Sequence, residues 1–148
     1  MKRIFLFLIV MLAAVAGMTA QNPIRWRMSV SMTSATEGTL TLRALVEPGW
    51  HLYGTSLPAD GPRPTEFAFA SKGVEMEGPV KASRPALVKA DPLFGMELSW
   101  WDANVEFSRS FRLTEPQGAS ISVTVNYMGC NDITCLPPKS QTLTYNFK

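Results

Sequence analysis

An all-β fold, an immunoglobulin-like sandwich of antiparallel strands, is predicted by three observations. Apolar residues recur at every second position in one stretch after another. No segment beyond residue 20 carries an apolar stripe of helical period over three turns. Gly- and Pro-bearing turn signals separate the alternating stretches. Short strands at such spacing close either as a sandwich, the leading expectation, or as a barrel, the alternative.

The elements follow in chain order. Trp26, Met28, Val30 and Met32 alternate with Arg27, Ser29, Ser31 and Thr33. Leu40, Leu42, Ala44 and Val46 alternate with Thr39, Thr41, Arg43 and Leu45. Val105, Phe107, Phe111 and Leu113 share one parity. Ile121, Val123, Val125 and Tyr127 alternate with polar residues, and Leu143, Tyr145 and Phe147 close the chain in the same style. Each pattern describes a strand with one face buried and one wet. Glu37-Gly38, Pro48-Gly49, Asp60-Gly61-Pro62, Gly78-Pro79 and Pro116-Gln117-Gly118 are the expected turns. Two stretches break the alternation: Gly49-Trp50-His51-Leu52-Tyr53-Gly54, and Asp91-Pro92-Leu93-Phe94-Gly95-Met96 ahead of Trp100-Trp101. Both set aromatic residues beside Gly or Pro, where a loop either buries something or awaits a partner. The two tryptophans fall on opposite faces of one strand, so one is expected in the core and the other exposed.

Residues 1–20 have the form of a secretory signal peptide. Lys2 and Arg3 precede an apolar run from Ile4 to Ala16, too short to span a bilayer comfortably. Cleavage after Ala20 leaves Gln21 first, and Ala14-Val15-Ala16 is a second possible signal. The remaining 21–148 fit one domain. The chain carries 14 Lys and Arg against 12 Asp and Glu; without Lys2 and Arg3 the two signs balance. A neutral domain without basic runs offers no footprint for nucleic acid or an anionic membrane surface. Nothing after the leader is apolar for long enough to cross a membrane. Export to the periplasm places the cysteines where disulfides form and persist.

The only two cysteines, Cys130 and Cys135, lie in Tyr127-Met128-Gly129-Cys130-Asn131-Asp132-Ile133-Thr134-Cys135-Leu136-Pro137-Pro138. As a staple, a crosslink over about six residues is worth roughly 2 kcal/mol in the chain-entropy model and joins neighbouring points, so it braces a hairpin and not a sandwich. As a zinc site, the two thiols and His51 fall short of four ligands. Cu(I) would need Met96 and Met128 beside the thiols. As a redox pair, the cysteines sit on a short connection at a strand end, expected to be exposed. Gly129 allows unusual backbone shapes, and two prolines stiffen the exit. Staple and redox pair both remain open on spacing alone, and no cofactor or metal is expected.

These residues also carry a resemblance. Tyr127-Met128-Gly129-Cys130, a short spacer and Cys135-Leu136-Pro137-Pro138 resemble the active-site segment of the N-terminal periplasmic domain of the DsbD thiol:disulfide interchange proteins. Gly49-Trp50-His51-Leu52-Tyr53 is similar to that domain's Gly-aromatic-aromatic-Leu-Tyr strand, and Asp91-Pro92-Leu93-Phe94-Gly95 to its cap loop. The resemblance runs from about Ile24 to Lys148. It implies an immunoglobulin-like domain that takes electrons from a membrane domain and a thioredoxin-like domain. Such a domain reduces periplasmic thioredoxin-fold proteins, including disulfide isomerases and cytochrome c maturation factors. Carried over, Cys135 forms the mixed disulfide and Cys130 resolves it, so the chain acts as a protein-disulfide reductase within a relay. Leu93 and Phe94 form the cap, and His51 and Tyr53 line the site where the family often has two tyrosines.

Three departures stand out. The spacer has four residues where some members have five, and Leu93 stands where an aromatic can occur. The sequence ends at Lys148 without membrane or thioredoxin-like domains, so a separate membrane or thioredoxin-like donor is expected. His51 is either a proton donor to a leaving thiolate or an ordinary strand residue. Asp132 either disfavours a thiolate or forms a turn with Asn131. The competing function is a non-enzymatic protein-binding module whose disulfide is only a brace.

Overall fold

Residues 22–148 are described by the computed structural model. The alternating stretches become β1 (Ile24–Met32), β2 (Glu37–Val46), β8 (Val105–Leu113), β9 (Ser120–Tyr127) and β11 (Lys139–Asn146). Between them lie strands that alternation did not reveal: β3 (His51–Tyr53), β4 (Glu66–Lys72), β5 (Val74–Ala82), β6 (Leu87–Asp91), β7 (Met96–Trp101) and β10 (Gly129–Cys130). All the pairings between these strands are antiparallel.

Three hydrogen-bonded sheets result, in the orders β1-β2-β8-β5, β11-β9-β4 and β10-β3-β7-β6. The first two bury their apolar faces against each other. Ile24, Trp26, Leu40, Leu42, Ala44, Phe107 and Phe111 meet Ile121, Val123, Val125 and Tyr127 in one cluster. Trp26 ties the layers together, with ring centroids 5.9 Å from Phe67, 5.9 Å from Phe107 and 5.7 Å from Tyr127. Each fully buried aliphatic or aromatic side chain contributes roughly 1.5–3 kcal/mol. The strands form an immunoglobulin-like sandwich with open sheet edges and no barrel closure.

In the third sheet β3 and the Trp100–Trp101 end of β7 are covered on both faces, whereas β6 is exposed up to Asp91, so neither kind of strand alternates. Leu52 and Trp101 are cross-strand partners on the main core, whereas Tyr53 and Trp100 face a second cluster with Leu98 and Cys130. The expectation that one of Trp100 and Trp101 is exposed is therefore corrected: they are 8% and 5% exposed. Two turn assignments also change. Gly38 lies within β2 opposite Met32, and the connection is residues 33–36. Gly78-Pro79 sits in β5, where the register against β8 shifts between Glu77 and Lys81, a bulge that bends one strand and does not end it. The expected leader, residues 1–20, lies outside the described residues.

Candidate functional site: the cysteine hairpin and its cap

The cysteine segment folds as a miniature hairpin. Leu136 N–H donates to Gly129 O at 2.9 Å and Asn131 N–H to Thr134 O at 2.9 Å. The Asn131 side chain shapes the tip: its Oδ1 accepts from Ile133 N at 2.9 Å and Thr134 N at 2.7 Å. Asn131 is therefore the turn-former, while Asp132 is exposed. Pro137 and Pro138, lacking N–H donors, follow directly. Gly129 serves a purpose other than the expected one. It is not among the glycines with positive φ. A Cβ there would come within 2.9 Å of Ile24 Cδ1, so the position needs close approach and not an unusual backbone shape.

Cys130 and Cys135 form a disulfide across this hairpin, with Cα atoms 4.1 Å apart. The expected exposure holds for the tip, where Ile133 is 86% exposed, but not for Cys130, which is 0% exposed. The reason is β10: Gly129 and Cys130 pair with Leu52 and His51, drawing the first cysteine under the third sheet's outer face. Cys135 stays partly buried against the same cluster. Of the two cysteines, Cys135 is therefore the more accessible.

β3 carries the two residues that face this disulfide's cluster. His51 is 5% exposed, stacked on Trp100 with centroids 4.7 Å apart and edge-on to Tyr53 at 5.2 Å. Its Nε2 is buried without a hydrogen-bond partner, 4.0 Å from Asp91 Oδ2. Burial pushes the imidazole below its ordinary 6.5, and the nearby carboxylates of Asp91, Asp132 and Asp102 only partly offset this. The Tyr53 hydroxyl donates to Asp91 Oδ2 at 2.6 Å. Burial, then that bond and the carboxylate's charge, push the phenol far above its ordinary range, so it remains a donor.

Asp91, the first residue of the Asp91-Pro92-Leu93-Phe94-Gly95 stretch, anchors that loop from within. It is 2% exposed at the end of β6. Its Oδ1 accepts the amides of Leu93 at 2.8 Å and Phe94 at 3.1 Å. Gly95, at φ +64°, completes the turn by donating its N–H to Asp91 O at 2.9 Å. Burial alone would raise the Asp91 pKa, but the bonds from Tyr53, Phe94 and Leu93 outweigh it and hold the carboxyl below its ordinary 3.8. The β6–β7 hairpin is thus a short cap clamped at its base. Phe94 packs against the cysteine cluster, edge-on to Tyr53 at 6.0 Å, whereas Leu93 is 41% exposed. Cys130, Cys135, Tyr53 and Phe94 come together in one cluster beside His51, and Leu93 stands at the rim. Trp100, to which sequence reasoning gave no role, is the platform under His51. Among the described residues, no three His, Cys, Asp or Glu side chains group as metal ligands.

The described residues thus form an immunoglobulin-like sandwich that carries a disulfide hairpin packed against Phe94. The family described as thiol:disulfide interchange protein DsbD, N-terminal, matches residues 19–146, and the chain belongs to that family. Solved structures agree on the fold. The DsbD N-terminal domain of Neisseria meningitidis in the reduced form is 14% identical, with TM-score 0.55, covering 91% of this chain and 98% of that one. The N-terminal periplasmic domain of ScsB from Proteus mirabilis is 15% identical, with TM-score 0.62, over 86% of this chain and 47% of that one. The complex of the DsbD and PilB N-terminal domains from Neisseria meningitidis contributes a match of 13% identity and TM-score 0.56, over 87% of each chain. No curated protein sequence matches significantly.

Proposed function

We propose that this chain is a periplasmic thiol:disulfide interchange domain that relays electrons through Cys130 and Cys135 to thioredoxin-fold proteins, as a protein-disulfide reductase. Residues 1–20 serve as its cleaved leader and 21–148 as the working domain. The observation that carries the reading is the inequality of the two sulfurs: Cys130 is fully buried and Cys135 partly open, in a chain of this family.

The chemistry follows from that inequality. In the dithiol form, the Cys135 thiolate attacks one sulfur of a partner's disulfide. A mixed disulfide forms, and the partner's other sulfur leaves as a thiolate. Cys130 then attacks Cys135 Sγ, the bond to the partner breaks, and the partner departs as a dithiol with two electrons and two protons. A separate dithiol donor, a membrane or thioredoxin-like protein, restores the starting form by the reverse exchange. Phe94 covers the cluster until a partner moves it, and the clamp from Asp91 keeps the cap in register. Support for a protein partner comes from the DsbD–PilB complex, and support for the periplasm from the ScsB domain's description. Cytochrome c maturation factors fall within the same partner class.

The test is trapping. Cys130→Ser should hold a mixed disulfide at Cys135 with a thioredoxin-fold protein, whereas Cys135→Ser should hold none. If neither variant traps one, and the disulfide's potential lies below about −300 mV, the range of structural crosslinks, the chain is instead a binding module with a brace.

A further inference from the structure

Resolution of a mixed disulfide poses a problem that burial creates. Cys130 must lose a proton before it can attack Cys135 Sγ, and in the disulfide its side chain sits at 0% exposure, away from bulk water. Something inside the cluster has to receive that proton.

The possible receivers can be counted. Asp91 accepts from the Leu93 and Phe94 amides at Oδ1 and from Tyr53 at Oδ2, and against its burial these donors hold it below its ordinary 3.8 as a weak base. The Tyr53 hydroxyl is engaged with Asp91. Asp132 is exposed at the hairpin tip. Among the described residues, two buried side-chain nitrogens have no partner: Trp26 Nε1, a donor only in the main core, and His51 Nε2. His51 is also the direct cross-strand partner of Cys130 in the β3–β10 ladder. Directly opposed residues of an antiparallel pair project from the same face with Cβ atoms about 5 Å apart. The imidazole and the buried sulfur therefore share one side of the sheet.

We propose that His51 is the proton carrier for Cys130. In the resolving step the Cys130 S–H proton passes to the imidazole and the thiolate attacks Cys135 Sγ. The Cys130–Cys135 bond forms, and the bond from Cys135 to the partner breaks. The partner sulfur leaves with the electron pair and takes a proton from water. The imidazolium then gives that proton up to solvent and returns to the neutral ring of the disulfide form; when a donor reduces the disulfide, the leaving Cys130 thiolate takes a proton back through the same ring. The imidazolium so formed faces Asp91 at the base of the cap, 4.0 Å away, with Asp132 on the cysteine hairpin and Asp102 beyond β7 also in its field. A ring kept neutral by burial in the resting state is ready to accept. This inference rests on the interchange reading above.

The experiment uses the reduced chain and glutathione disulfide as the probe, with quenched-flow mass spectrometry to follow the glutathionyl–Cys135 adduct. The wild type should form the adduct and clear it quickly, with a rate that falls as pH drops through the titration of the single histidine. His51→Gln should still form the adduct but clear it about a hundredfold more slowly relative to its own rate of formation, the low end of what a positioned base supplies. Its clearance should follow only thiol ionisation. Clearance by His51→Gln at the wild-type rate and with the wild-type pH profile overturns the role of His51 alone. A wild type that forms no adduct overturns the interchange reading and this inference together. Should His51→Gln fail to fold, NMR of the wild-type ring decides. The imidazole titration should differ between the dithiol and disulfide forms, and identical curves overturn the proposal.

Discussion

The Tyr53 hydroxyl and the Asp91 carboxylate, 2.6 Å apart and both buried, join the third strand to the base of the cap. Asp91 in turn holds the Leu93 and Phe94 amides, so one hydroxyl on a rigid strand fixes a loop whose residues are 38 or more positions along the chain. Removing it leaves a buried carboxylate oxygen short of a donor, which costs about 1–3 kcal/mol. Tyr53→Phe should lose about that much in urea unfolding. It should also speed hydrogen exchange at Leu93 and Phe94 more than at Val123 in the core. Uniform acceleration across the domain would mean that the bond does not govern the cap.

Gly129 offers a sharper packing test. Its Cβ position is blocked by Ile24 Cδ1 at 2.9 Å. Gly129→Ala should destabilise by about 1–3 kcal/mol, the range for overpacking. Ile24→Val removes the obstructing carbon, at a cost of about 0.5–1.5 kcal/mol by itself. The double variant should be more stable than the sum of the single losses predicts. Strict additivity in urea midpoints would show that Ile24 is not the obstacle.

The disulfide should be dispensable for the fold. It closes a loop of about six residues, worth roughly 2 kcal/mol, while the sandwich core it adjoins is built from other strands. Cys130→Ser combined with Cys135→Ser should therefore stay folded, with its melting temperature lowered by several degrees and its tryptophan environment retained. Loss of cooperative melting would assign the crosslink a global role.

Strand alternation in the sequence marks β1, β2, β8, β9 and β11, because each has one face on the core and one in water. The third sheet was hidden for the opposite reason. β3 is buried at all three positions, and β7 puts Trp100 and Trp101 into two different clusters. β6 is exposed until Asp91. A period of two cannot appear where both faces are covered or both are wet. The cysteines, His51, Tyr53 and the cap were legible as motifs. The burial of Cys130 and the Tyr53–Asp91 bond were not, since both depend on contact between segments about 40 or more residues apart.

Phe94 and Leu93 should behave differently although they are adjacent. Phe94 packs on the cysteine cluster and Leu93 is 41% exposed. Phe94→Ala should make the disulfide several-fold faster to reduce with dithiothreitol, measured at fixed pH, while Leu93→Ala leaves that rate unchanged. Equal rates in both variants would mean that the cap shields nothing.

Acid should weaken the fold in two stages, because two buried groups titrate in different ranges. His51 has a folded pKa below 6.5, so between that lowered value and 6.5 the unfolded chain holds a proton that the folded chain does not. Stability therefore falls as pH drops through 6.5 and levels off once the folded ring is also protonated. Asp91 is depressed below 3.8, so its contribution is present above 3.8 and is lost as pH falls through the folded value. His51→Gln should remove the upper stage and keep the lower. Asp91→Asn should remove the lower stage and enlarge the upper, because the carboxylate that partly offsets burial of the imidazole is gone. Urea midpoints between pH 7.5 and 3, compared among the three proteins, check this. A wild type with constant stability from pH 7 to 5 would show that His51 is solvated, against its burial and its orphaned Nε2.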